Sequence, residues 1–162
     1  MTPNAISFIA LAKEYCTAVA NPPAELTDFV ADMLRLLPRL YITASDLAVD
    51  SLDEGGYLDQ AMDEDTYSDI MGRLSSLFGF EDSYLEVFMA DMKYSDTPIA
   101  TTISEGLADI AQVLFNFLAT VREAPEPVVE EALCAVKAEF AEYWSQTLCN
   151  VLRALNAVKY QS

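Results

Sequence analysis

From Val128 to its end the chain contains neither glycine nor proline. Along that stretch Val129, Leu133, Val136, Phe140, Trp144, Leu148, Val151 and Leu155 recur every three or four positions. This is the spacing that lines one face of an α-helix. The pattern predicts one helix reaching about Val158, roughly 45 Å long at about 1.5 Å per residue. Glu130 and Glu131 near its start and Arg153 and Lys159 near its end suit the helix dipole. A rod of that length must lay its apolar seam against other helices, so the rest of the chain is read for partners.

Four further amphipathic segments supply them. Phe8, Ile9, Ala12, Tyr15, Cys16 and Val19 share a face, with Thr2 and Pro3 suited to N-cap and first-turn positions and a stop before Asn21-Pro22-Pro23. Leu26, Phe29, Val30, Met33, Leu34, Leu37, Leu40 and Tyr41 form a second face opposite Asp28, Asp32, Arg35 and Arg39. Pro38 lies inside that pattern without shifting its phase, which reads as a kink and not a break. Tyr67, Ile70, Met71, Leu74, Leu77 and Phe78 make a third, ending at Gly79 as a C-cap. A fourth joins Ile103, Leu107, Ile110, Leu114, Leu118 and Val121, its polar stripe being Glu105, Asp109, Gln112, Asn116 and Glu123, and Pro125-Glu126-Pro127 ends it. The expected architecture is all-α: a single domain over residues 1–162, a bundle of about five mostly antiparallel helices with the C-terminal one longest. Residues 46–65, rich in Asp, Glu, Gly and Ser around Gly55-Gly56, read as an acidic loop. Residues 82–97 fit a short helix through Leu85, Phe88 and Met92 and equally an extended alternation through Tyr84, Glu86 and Phe88.

Charge narrows the function classes. Fourteen of 26 acidic residues lie in 46–96 against only Arg73 and Lys93, so that stretch carries net −12 of the chain's −17. Apolar residues at regular intervals run through it, which argues for a folded electronegative surface whose counterpart is a cation or a basic partner. Nine scattered basic residues speak against nucleic acid, whose affinity comes from clustered Lys and Arg. The same sign repels anionic headgroups, and no apolar run reaches the roughly 18 residues of a membrane span. Lys13 and Glu14 interrupt the stretch where a secretory core would lie. Cys16, Cys134 and Cys149 are odd in number and far apart, so neither a disulfide framework nor a CxxC motif is available and a reducing cytoplasm fits best. Cys134 and Cys149, on or near the last helix's apolar side, are expected to be buried and inert.

With no histidine in the chain, Ser-His and Cys-His pairs are excluded and catalysis falls to carboxylates, Lys, Tyr or a metal. Phosphate-binding glycine loops are missing too. A carboxylate-bound divalent cation would draw on Glu139 with Glu142, Glu105 with Asp109, or Asp28 with Asp32, but their phase sets them on solvated faces. The acids of 50–59 do not follow a calcium-loop order. Neither a cofactor nor a metal is therefore expected. Aromatics interleave with acids at Tyr84, Glu86, Phe88, Asp91, Tyr94 and Asp96, a mixture suited to a basic peptide or surface through cation–π and charge contacts.

The runs Leu36-Leu37-Pro38-Arg39-Leu40-Tyr41, Asp82-Ser83-Tyr84-Leu85-Glu86-Val87-Phe88, Asp91-Met92-Lys93-Tyr94-Ser95-Asp96-Thr97-Pro98-Ile99, Leu107-Ala108-Asp109-Ile110, Tyr143-Trp144 and Leu152-Arg153-Ala154-Leu155 resemble a bacterial domain of unknown function, number 5063. The resemblance spans nearly the whole chain. It implies a cytoplasmic helical domain with a patch at Tyr84, Glu86, Asp96 and Asp109, and no activity to carry over. The leading expectation is a non-enzymatic acidic module binding a basic protein or peptide through Tyr84, Glu86, Phe88, Asp91, Tyr94, Asp96 and Asp109. Two alternatives stand beside it: a divalent-metal hydrolase of a phosphorylated small molecule, and a structural homodimer formed through apolar surface such as Phe115.

Overall fold

The computed structural model describes residues 1–49, 56–86 and 99–161. In chain order these form α1 (Pro3–Ala20), α2 (Leu26–Ser45), α3 (Glu64–Phe78), a 3₁₀ turn (Gly79–Asp82), β1 (Ser83–Glu86), β2 (Ile99–Thr102), α4 (Ile103–Val121), α5 (Glu126–Glu139), a π-helical turn (Phe140–Trp144) and α6 (Ser145–Gln161). The last three are continuous, giving a C-terminal helix of 36 residues, the longest of five. The bundle is the expected one. Thr2 caps α1 by accepting from the Ala5 amide, and α2 runs unbroken through Pro38. Gly79 ends α3 at φ 60°, donating its N–H to the Ser75 carbonyl, a backbone conformation that favours glycine.

α4 is the central helix, packing against α1, α3, α5 and α6, while α2 closes the bundle against α1 and α6. Gly106 makes the α4–α6 approach possible, because a Cβ there would sit 2.4 Å from Val151 Cγ1. All eight residues of the C-terminal seam are buried. Phe8 meets Phe117 and Trp144 at ring separations of 5.3 and 6.3 Å, and Phe140 stacks edge-on to Trp144 at 4.6 Å.

The π turn is the main departure from the expected regular helix. Residues 136, 140, 144 and 148 of the seam are spaced by four three times over, and each such step advances roughly 40° beyond a full turn of an α-helix. Left uncorrected, the seam would swing away from its neighbours. One wider turn, with its i→i+5 bonding, brings Phe140, Trp144 and Leu148 back in line. The Val136 carbonyl there accepts from the buried Trp144 indole N–H at 3.2 Å.

Three further readings are corrected. Residues 83–86, which fitted helix or strand, are extended and pair antiparallel with β2 in the register Ser83 to Thr102 and Glu86 to Ile99. Asn116, assigned to the water-facing stripe of α4, is buried. Its Oδ1 accepts from the Ala61 and Met62 amides at 2.9 Å each, and Thr120 Oγ1 accepts from Asp59 N at 2.8 Å. The segment leading into α3 is thus pinned over α4, with Leu58 and Met62 buried beneath it. Cys149, expected to be buried, is exposed, and Cys134 is half-buried. Position 149 follows Leu148 by about 100° around the helix and so leaves the seam.

Candidate functional site

The strand β1 is held to the start of α4 by one carboxylate. Asp82 is 4% exposed, and it accepts from the Ser104 backbone N–H at 2.8 Å and from the Ser104 hydroxyl at 2.6 Å. An anion at that place satisfies one of the unpaired amides that begin every helix and meets the positive end of its dipole. Thr102, whose hydroxyl accepts from the Glu105 amide, is the N-cap proper. The two contacts fix where Tyr84 emerges.

Tyr84 is half-buried against the core and lines a groove of about 720 Å³ with Ile103 of α4 and Arg153 and Asn156 of α6. Glu86 ends β1, opposite Ile99. Asp109 lies elsewhere, two turns into α4, where the Tyr67 hydroxyl of α3 donates to its Oδ1 at 2.6 Å. Among the described residues, the patch implied by the resemblance is therefore divided between an α6-facing groove and an α3–α4 face. Phe88, Asp91, Tyr94 and Asp96 lie outside the described residues.

The α3–α4 face has a definite electrostatic character. Partial desolvation raises the Asp109 pKa from its ordinary value although the residue stays exposed, an effect the Tyr67 hydrogen bond partly opposes. The Tyr67 phenol is pushed up by burial, then by its bond to Asp109 and by the charges of Asp109 and Glu105. Asp63, Glu64, Asp65 and Asp69 are exposed on or beside α3. Asp63 caps that helix by accepting from the Thr66 amide, which lowers its pKa. Among the described residues the ion pairs are the Met1 amine with Glu126 and Arg39 with Glu14, so none of these acids is paired. Sequence reading missed Tyr67 because it treated that side chain only as core. Its place on α3 seven residues before Leu74, beside exposed acids, was the available signal.

The carboxylate pairs weighed as metal ligands do not converge. Glu105, Asp109 and Glu142 are exposed and Glu139 is half-buried; the Glu139 pKa rises through burial and then through the charge of Glu142. No group of three or more His, Cys, Asp or Glu side chains is placed to hold a metal among the described residues. Cys16, half-buried beside the groove between α1 and α4, has its thiol pushed up to about 12 by burial, far from the thiolate that nucleophilic chemistry needs. Phe115 borders the same groove. No helix among the described residues is long and apolar enough to cross a membrane.

The family model described as Domain of unknown function (DUF5063) matches residues 1–161. The chain belongs to DUF5063. This DUF5063 member is similar to protein BF1032 from Bacteroides fragilis, known from a crystal structure, with 29% identity, 99% of this chain and 94% of that chain covered, and a TM-score of 0.84. Among curated proteins no match is found. Both similarities extend over the whole helical body and neither carries a reaction or ligand with it.

Proposed function

We propose that this protein is a non-enzymatic binding module that docks a basic protein or peptide on its acidic surface, acting in the reducing cytoplasm. The observation that carries the reading is the Tyr67–Asp109 pair beside Glu105, an aromatic ring and two carboxylates without an ion-paired cation among the described residues. A lysine or arginine brought there gains two charges and a ring face at once. It also offsets the partial desolvation that raises the proton affinity of Asp109. The segment 84–96 read from the sequence, with its tyrosines and acids from Tyr84 to Asp96, is proposed as a second contact for the same basic partner. Electrostatics of this kind set association rate and salt dependence more than final affinity.

The test is fluorescence anisotropy with a labelled Lys/Arg-rich peptide. Raising salt from about 0.01 to about 0.15 M shortens the screening length from about 30 to about 8 Å, and binding is expected to weaken steeply. A Glu105→Gln/Asp109→Asn variant is expected to lose about tenfold at low salt, corresponding to about 1.4 kcal/mol. Equal affinity in variant and parent at low salt refutes the reading.

A further inference from the structure

A second site, independent of that reading, lies across the bundle where α2 packs on α6. Three of the chain's nine basic residues, Arg35, Arg153 and Lys159, line one groove there of about 650 Å³, together with Leu34, Asn156 and Tyr160. Among the described residues no aspartate or glutamate lines it. In a chain at net −17 this is a local inversion of charge. Ordinary explanations cover only part of it. Lys159 lies in the last turn of α6, where a cation complements the helix dipole, but Arg153 sits nearly two turns earlier and Arg35 in the middle of α2. Asp32 stands one turn before Arg35, yet among the described residues the ion pairs involve neither Arg35, Arg153 nor Lys159. Lys159 instead lies 5.3 Å from the Tyr160 ring centroid.

We infer that this groove binds a small multivalent anion, the phosphoryl group of a phosphorylated small molecule. Two guanidinium forks and an ammonium match phosphate oxygens; Asn156 adds a neutral amide and Tyr160 a ring and hydroxyl. Size decides between a small anion and a polyanionic macromolecule. At physiological salt fields are screened beyond about 8 Å, so a small ligand meets only the three cations. A nucleic acid or acidic protein would extend past the groove onto the surrounding acids. Arg153 and Asn156 also line the neighbouring groove with Tyr84, Ile103 and Glu81, a partly apolar surface beside the cations for the organic part of the ligand.

The test is calorimetric titration of the full chain with pyrophosphate, and separately with phenyl phosphate, at constant ionic strength. One saturable site is expected for each. Arg35→Gln and Arg153→Gln are each expected to weaken it about tenfold or more, the usual consequence of losing one charged hydrogen-bonding partner, and Arg153→Lys by less because charge is kept without the fork. Lys13→Gln, in the groove between α1 and α4, is expected to leave it unchanged. The three side chains replaced, Arg35, Arg153 and Lys13, are exposed, so circular dichroism of the variants is expected to match the parent. No saturable heat up to about 10 mM ligand, or saturation insensitive to both arginine variants, overturns the inference. Neither outcome bears on the peptide-binding face, whose variants lie on α4.

Discussion

Replacing Asp82 tests how the strand segment is fastened to the central helix. Its carboxylate is 4% exposed and makes two hydrogen bonds, 2.8 Å to the Ser104 amide and 2.6 Å to the Ser104 hydroxyl. Hydrogen bonds to a charged group are worth about 1.5–3 kcal/mol each. Removing a buried carboxylate also releases its desolvation cost, so the net is well below the sum. In Asp82→Ala the Ser104 hydroxyl retains Thr102 Oγ1 at 3.3 Å, whereas the Ser104 amide is left without its side-chain acceptor. We therefore expect Asp82→Ala to cost about 3 kcal/mol, which for a chain of this size lowers Tm by roughly 6–12 °C. Asp82→Asn keeps an oxygen for the amide and an NH₂ for the Ser104 oxygen, losing only the charge, and is expected to cost about 1–2 kcal/mol. Urea denaturation with an unchanged m-value is the assay. A double-mutant cycle with Ser104→Ala should return a coupling of about 1–2 kcal/mol. Asp82→Ala within about 0.5 kcal/mol of the parent, or no different from Asp82→Asn, refutes the reasoning.

Gly106→Ala places a Cβ 2.4 Å from Val151 Cγ1, and the resulting overpacking is expected to cost about 1–3 kcal/mol by the same urea assay. Asn116→Ala strips the Ala61 and Met62 amides of their shared acceptor and is expected to cost about 2–4 kcal/mol; a loss under about 0.5 kcal/mol contradicts it. Tyr15→Phe removes the phenol that donates to the Leu107 carbonyl at 2.6 Å, an expected loss of about 1 kcal/mol because that carbonyl remains within a helix. Asp109 and Glu139 both have raised pKa values in the fold. The folded chain therefore takes up their protons before the unfolded one does, and stability rises as pH falls from neutrality through their folded values. Relief of self-repulsion in a chain at net −17 acts in the same direction. Thermal melts are expected to give a higher Tm near pH 5 than at pH 8, and a Tm that drops steadily as pH is lowered from 8 to 5 contradicts the reading. Tyr15, also raised by burial, has the same sign, so its contribution is lost only as pH climbs above about 10.

Helix number, order and the longest seam were legible because apolar spacing alone sets which face of a rod is buried. The seam from Val129 to Leu155 is buried at every position. Its run of spacings by four also encoded the π turn, a signal carried by phase and missed when the helix is treated as uniform. Asn116 was misplaced for a different reason. On α4 both flanks are covered by neighbouring elements, so a polar residue there is buried when a loop brings amides to it, and that loop's path is not written in the periodicity of α4. Asp82 was hidden likewise: its partner lies 22 positions away, and nothing local distinguishes it from the solvated acids around it. The candidate site was legible as a charge imbalance but not as a geometry. The resemblance groups Tyr84 and Asp109 in one patch, yet the first lines a groove with α6 and the second bonds to Tyr67 of α3.

The most direct test of an acidic docking face is amide chemical-shift mapping of the full chain during titration with a lysine-rich peptide at low salt. Saturating shifts centred on Tyr67, Glu105 and Asp109 are expected, and they should vanish in the Glu105→Gln/Asp109→Asn variant. Shifts absent from α3 and α4, or unchanged by that variant, contradict such a docking face.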